Sequence, residues 1–131
     1  MPCVFCNIIS GKEPANIVYE DPETLAFLDK YPQSRGHLQL VPKTHVRWIY
    51  DLPAAAVAKF FTTARKITHG IIPVLGANHV SWGTFGHEIP HAHLWIVPRY
   101  LGSGAIAEGG GKEVINQEEL AKLISARLKN L

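Results

Sequence analysis

Apolar residues recur along this chain at two spacings, and the change from one to the other marks out its elements. Val57, Phe60, Phe61, Ala64 and Ile67 recur three and four residues apart, the period of one helix face. The helix is predicted to start near Pro53, a residue suited to a first turn, and to run to about Thr68 or Gly70. A second stripe of Leu120, Leu123, Ile124 and Leu128 predicts a C-terminal helix over about 116–130. Asn116 is placed to cap it, with Glu119 three residues on at the spacing of reciprocal capping. Between the helices lie strand-like runs. Ile17–Glu20 and Thr24–Asp29 flank Asp21-Pro22-Glu23 and predict a hairpin. His37–Val41, Ala77–Trp82 and His91–Val97 complete about five strands, and Phe5–Ile9 is a candidate short first helix. Connections are mostly short, with one long helix between the first three strands and the last two. That order predicts an α+β fold, an antiparallel sheet of about five strands with helices on one face.

Composition narrows the class. With 131 residues, 47% of them hydrophobic and 18% charged, the chain is expected to form one domain over 1–131 that buries its own core. Five glycines within 102–111 predict a loop before the last helix. No run approaches the roughly 18 apolar residues of a membrane span. A net charge of +2 gives no field that argues for nucleic acid or a membrane surface as partner. The start, MPCVFCNIIS, lacks the basic flank and long apolar run of a secretion signal, so a cytoplasmic protein is expected. Seven histidines beside two cysteines change the picture most, because histidine both titrates near neutrality and ligates metals.

Those residues gather in two places. In His87-Glu88-Ile89-Pro90-His91-Ala92-His93-Leu94-Trp95-Ile96-Val97-Pro98-Arg99, strand alternation would put His91, His93, Trp95 and Val97 on one face. Cys3 and Cys6 are spaced C-x-x-C, half of a tetrahedral zinc site, and any of the seven histidines could complete it. Spacing alone selects none of them. His87, His91 and His93 could also be ligands of a catalytic metal, a reading that leaves both cysteines and His45 without a task.

Four segments together resemble the histidine triad (HIT) family. Cys3-Val-Phe-Cys-Asn-Ile-Ile9 is similar to its opening segment, and Leu25-Ala-Phe-Leu-Asp29 to its nucleoside-binding strand. Gly36-His-Leu-Gln-Leu-Val-Pro-Lys-Thr-His45 resembles the pattern G-H-x-L-V-x-P-K-x-H, and His91-Ala-His93-Leu-Trp95 resembles H-x-H-x-H. The resemblance implies that His93 is the nucleophile, attacking the α-phosphorus of a nucleotide to form a nucleotidyl-imidazole. The backbone carbonyl of His91 would orient the His93 ring. It implies a structural zinc on Cys3, Cys6, His45 and His91. Asp29 would accept from ribose hydroxyls, and Phe5, Ile8 and Phe27 would wall the base pocket.

The phosphate end departs from the family pattern. Trp95 stands where the third histidine is usual, which removes a phosphate donor and leaves an indole N–H. His87 stands where Gln is frequent and is a candidate replacement contact. Glu88 would repel phosphate unless turned outward, Trp82 sits near an expected Asn contact, and Glu13 replaces an aliphatic residue on the rim. The implied function is a nucleotide hydrolase of phosphoramidase or dinucleoside polyphosphate hydrolase type, or a nucleotidyl transferase. The alternative is a non-catalytic nucleotide-binding or interaction module on a zinc-stabilised fold. The expected partners are a purine nucleotide or nucleotide conjugate and a second copy of the chain in a homodimer.

Overall fold

The computed structural model describes residues 3–86, 88–101 and 116–130. The elements in chain order are α1 (Val4–Ser10), β1 (Ile17–Glu20), β2 (Thr24–Leu28), β3 (Leu38–Pro42), a 3-10 turn (Ile49–Asp51), α2 (Ala54–Leu75), β4 (His79–Gly83), β5 (Leu94–Arg99) and α3 (Gln117–Leu128). The five strands form one antiparallel sheet in the order β1-β2-β3-β5-β4. The β1–β2 turn is fixed by Asp21, whose Oδ1 accepts from the backbone N–H groups of Glu23 and Thr24 at 2.8 and 2.7 Å. The α3 cap is as expected: Asn116 Oδ1 accepts from the N–H groups of Glu118 and Glu119.

Both faces of the sheet are covered, and so β2 and β3 are buried at every residue. Ala26, Leu28, Leu38, Leu40, Leu94 and Ile96 point to one face, against Phe60, Ala64, Ile67 and Ile71 of α2 and Leu120 and Ile124 of α3. Leu25, Phe27 and Val41 point to the other, where Phe5 and Ile8 of α1 and Cys3 meet them. The expectation of helices on one face is thus corrected. The short α1, about two turns long, lies opposite the long helices, and this second face is where His45, His91 and His93 collect.

Two boundaries move by three residues or more. α2 continues past Gly70 and Pro73 to Leu75 and ends at Gly76, whose left-handed φ of 69° lets the chain turn back onto the last carbonyls. Burial of Ile67, Ile71 and Leu75 outweighs two residues with poor helix propensity. β5 begins at Leu94, not His91. Residues 91–93 leave the ladder because other partners hold them: Ala92 N–H donates to the Val46 carbonyl at 2.7 Å, and Thr84 Oγ1 donates to the His93 carbonyl at 2.6 Å. The alternation of sides survives all the same. Ala92 joins the core under α2, while the rings of His91 and His93 both lie against Phe5 on the other face.

Candidate metal centre and active site

The first turn of α1 builds half of a four-donor cluster. Cys3 caps that helix, accepting from the Cys6 N–H at 3.4 Å, and the helical rise brings Cys6 back beside it. His45 follows the end of β3, and His91 precedes β5. The four donor atoms all lie within 4.8 Å of one another. His45 Nδ1 and His91 Nδ1 are 3.1 Å apart, Cys6 Sγ is 3.2 Å from His45 Nδ1, and each sulfur is 3.5 Å from His91 Nδ1. A tetrahedron with ordinary zinc bond lengths has S–N edges of about 3.6 Å and N–N edges of about 3.3 Å. The residues therefore fit a zinc ion in donor type, number and spacing. His91 is also set in the correct tautomer. Its Nε2–H donates to the Pro42 carbonyl at 2.8 Å, which leaves the Nδ1 lone pair facing the sulfurs. Burial pushes the His91 imidazole below its ordinary pKa and so favours the neutral, ligating form. Burial, and the Cys3 sulfur beside it, push the Cys6 thiol up, a cost that a bound dication would reverse.

His93 is joined to this cluster through one backbone group. Its Nδ1–H donates to the His91 carbonyl at 2.9 Å, so Nε2 is the nitrogen that carries the lone pair. The ring is buried and packs edge-on against Phe5 with centroids 5.5 Å apart.

Phe5 also walls a cleft of about 330 Å³, together with Ile8, Glu13, Phe27, Asp29 and Gln39. All four residues expected at a nucleoside pocket, Phe5, Ile8, Phe27 and Asp29, line this one space. At its end the Asp29 carboxylate is held on both oxygens: Oδ1 accepts from Tyr31 N–H at 2.7 Å and Oδ2 from Gln39 Nε2 at 2.8 Å. Gln117 of α3 donates to the Asp29 carbonyl at 3.0 Å.

His37, which the sequence left without a task, lies beneath this carboxylate. Its Nδ1 accepts from Gln33 N–H at 3.0 Å, so Nε2 carries the proton, 3.5 Å from Asp29 Oδ2. Burial drives its pKa down to about 4, with Asp29 opposing and Arg99 assisting. Gln39 and Gln117 were also missed. Gln39 had a readable signal, a polar residue in an apolar strand where the family pattern carries Leu. Gln117 had none, because nothing in a sequence shows which end of a helix meets a pocket.

Trp95 sits beside the cleft and does not line it. Cross-strand register places Phe27, Gln39, Trp95 and Gly83 in one row across the sheet. The Trp95 ring packs between His37 and Phe85, with both centroid distances 4.8 Å. Gly83 makes this packing feasible, since a Cβ there would meet the Phe85 ring at 3.1 Å. Trp82 is on the opposite face, in register with Ile96 and donating to Thr68 of α2, so its expected place near the phosphate is corrected. Glu88 is exposed, as are His69 and His79. His87 and the glycine-rich stretch 102–111 lie outside the described residues.

An antiparallel sheet with a four-donor cluster and a buried histidine on one face defines the class, and comparison with known proteins agrees. Residues 10–102 match the HIT domain model, and the chain belongs to the HIT family. It is 35% identical over 127 residues to an uncharacterized HIT-like protein of Methanocaldococcus jannaschii, covering 93% of this chain and 98% of that one. It is 31% identical to an adenosine 5'-monophosphoramidase of Schizosaccharomyces pombe, covering 98% of this chain and all (100%) of that one. Among solved structures, a Zn-bound histidine triad family protein from Mycobacterium smegmatis superposes with a TM-score of 0.85 at 31% identity, over 99% of this chain and 95% of that one. At the level of the family, these relatives support a nucleotide hydrolase.

Proposed function

We propose that the protein cleaves nucleotide conjugates at the α-phosphate, with His93 as nucleophile. The observation that carries this reading is the 2.9 Å bond from His93 Nδ1–H to the His91 carbonyl, beside a cleft that ends at Asp29. The nucleoside lies in the cleft, its base among Phe5, Ile8 and Phe27 and its ribose hydroxyls donating to Asp29. His93 Nε2 attacks the α-phosphorus, the P–N bond forms, and the leaving group departs with its bonding pair. Water, or another acceptor, then attacks phosphorus and loses its proton to solvent, matching the proton the leaving group takes up from solvent, and the P–N bond breaks with its pair returning to Nε2. Negative charge develops on the phosphate while Nδ1–H holds the ring against a carbonyl, so the imidazole takes up positive charge where a dipole favours it.

Cys3, Cys6, His45 and His91 would hold a structural zinc, which supplies rigidity and no chemistry of its own. His91 is the shared member, so the same residue anchors α1 and aims the nucleophile. The Trp95 indole N–H is a candidate donor toward phosphate, and His87 is a second. We also infer a cytoplasmic homodimer: β4 is an edge strand with Trp82 44% exposed, and reduced thiols suit a metal site.

One test is direct. Adenosine phosphoramidate or diadenosine polyphosphate is added, and intact-protein mass spectrometry looks for one added nucleotidyl group. The wild type should carry it and His93→Ala should not. Equal product rates from the two proteins would remove His93 from the mechanism. A second reading, a nucleotide-binding module without turnover, is favoured by Trp95 in the third signature position. It predicts nucleotide binding with no adduct in the wild type.

A further inference from the structure

Gln39 is a costly residue for its place. It lies in a central strand whose neighbours Leu38, Leu40 and Val41 are apolar and fully buried, and it is itself only 7% exposed. Its amide orientation is dictated by Asp29, because an oxygen in place of Nε2 would face the carboxylate at 2.8 Å. That orientation leaves Gln39 Oε1 buried without a hydrogen-bond partner among the described residues. A buried acceptor left in this state destabilises the fold, and an aliphatic residue would carry no such penalty. What the glutamine supplies in exchange is one N–H on Asp29 Oδ2. Tyr31 N–H holds the other oxygen, so the carboxylate is hydrogen-bonded on both, while His37 Nε2, 3.5 Å from Oδ2, packs beside it without a hydrogen bond.

We propose that Gln39 is a positioning residue, one that fixes the Asp29 carboxylate for the two hydroxyls of a ribose. Through it the site selects ribonucleotides over deoxynucleotides. This rests on the nucleotide reading of the cleft given above. A carboxylate locked in plane accepts from a vicinal diol without reorganising, whereas a freely rotating one loses part of that bond to water and to rotamer entropy. A sugar without hydroxyls leaves the desolvated carboxylate unmatched, and sites built to bind a hydroxyl reject analogues that lack it.

The test measures affinities of the full-length, metal-loaded protein for AMP and for 2',3'-dideoxy-AMP by calorimetry, with melting temperature read alongside. In the wild type AMP should bind at least about tenfold more tightly, the size of one hydrogen bond to a charged group. Gln39→Leu should lower AMP affinity by about tenfold and leave dideoxy-AMP within about twofold. Its melting temperature should stay level or rise. Gln39→Met, closer in length and equally without a donor, should behave the same way. A variant pair that folds and keeps the wild-type ratio overturns the proposal. So does a pair that loses both ligands equally, or that fails to fold, since Gln39 is then a structural prop. If the wild type binds AMP and dideoxy-AMP equally, the inference falls and the nucleotide cleft stands. If it binds neither, the nucleotide reading falls and takes the inference with it.

Discussion

His37 is neutral because its burial outweighs the pull of the Asp29 carboxylate beside it. Its pKa falls from 6.5 to about 4, mainly through burial. The unfolded chain therefore binds more protons than the folded one between those values. Stability from this group is complete above about pH 6.5 and is lost as pH falls toward 4, by roughly 3 kcal/mol at most. His37→Gln should flatten the fall of melting temperature across that window, and a slope equal to wild type would contradict the assignment. Trp95 makes a different point at the same scale. Its ring is fixed between His37 and Phe85, so Trp95→His would open space as well as restore a donor. If the nucleophile is His93, turnover in single-nucleotide assays should rise for Trp95→His despite a loss of about 1–3 kcal/mol in stability. Unchanged or lower turnover would mean that the phosphate end has been rebuilt around the indole.

At the scale of elements, two glycines separate conformational strain from crowding. Gly76 closes α2 at φ 69° with open space where a Cβ would stand, while Gly36 has φ 87° and would place its Cβ 2.5 Å from Leu75 Cδ1. Gly76→Ala should cost about 1 kcal/mol in urea unfolding, and Gly36→Ala about 2–3 kcal/mol. Equal losses would show that the Leu75 side chain moves aside freely. Which elements form was legible from periodicity: the α2 and α3 stripes, the hairpin and the five strands were all visible in apolar spacing. Their ends were less so. Gly70 read as a stop, yet burial of Ile71 and Leu75 carried α2 through it and on past Pro73. His91 and His93 read as strand residues because their alternation is real, although the bonds that hold residues 91–93 run to Ile89, Val46 and Thr84. The grouping of Cys3, Cys6, His45 and His91 came from resemblance, since no local spacing could choose among seven histidines. His37, Gln39 and Asp29 meet through cross-strand register, which depends on how β2 and β3 align and cannot be read from either strand alone.

For the whole molecule, the four-donor cluster ties both chain halves to α1. Cys3→Ser, or dialysis against a strong chelator, should remove one equivalent of zinc by elemental analysis. It should lower the melting temperature by about 10 °C or more, as the loss of several kcal/mol would. Retention of metal by Cys3→Ser, with loss in His87→Ala, would instead indicate a catalytic ion. Sedimentation should give twice the chain mass of 14.5 kDa if β4 and its surroundings meet a second copy. The bond from Gln117 to the Asp29 carbonyl reaches further than its length. It fastens the first turn of α3 to the Asp29 end of the cleft, so peeling α3 away and emptying the cleft become linked equilibria. A ligand at a hundred times its dissociation constant would then hold that helix down by about 2.7 kcal/mol. Amide hydrogens in Gln117–Leu128 should exchange about a hundredfold more slowly when nucleotide is present, making the C-terminal helix a built-in gauge of occupancy.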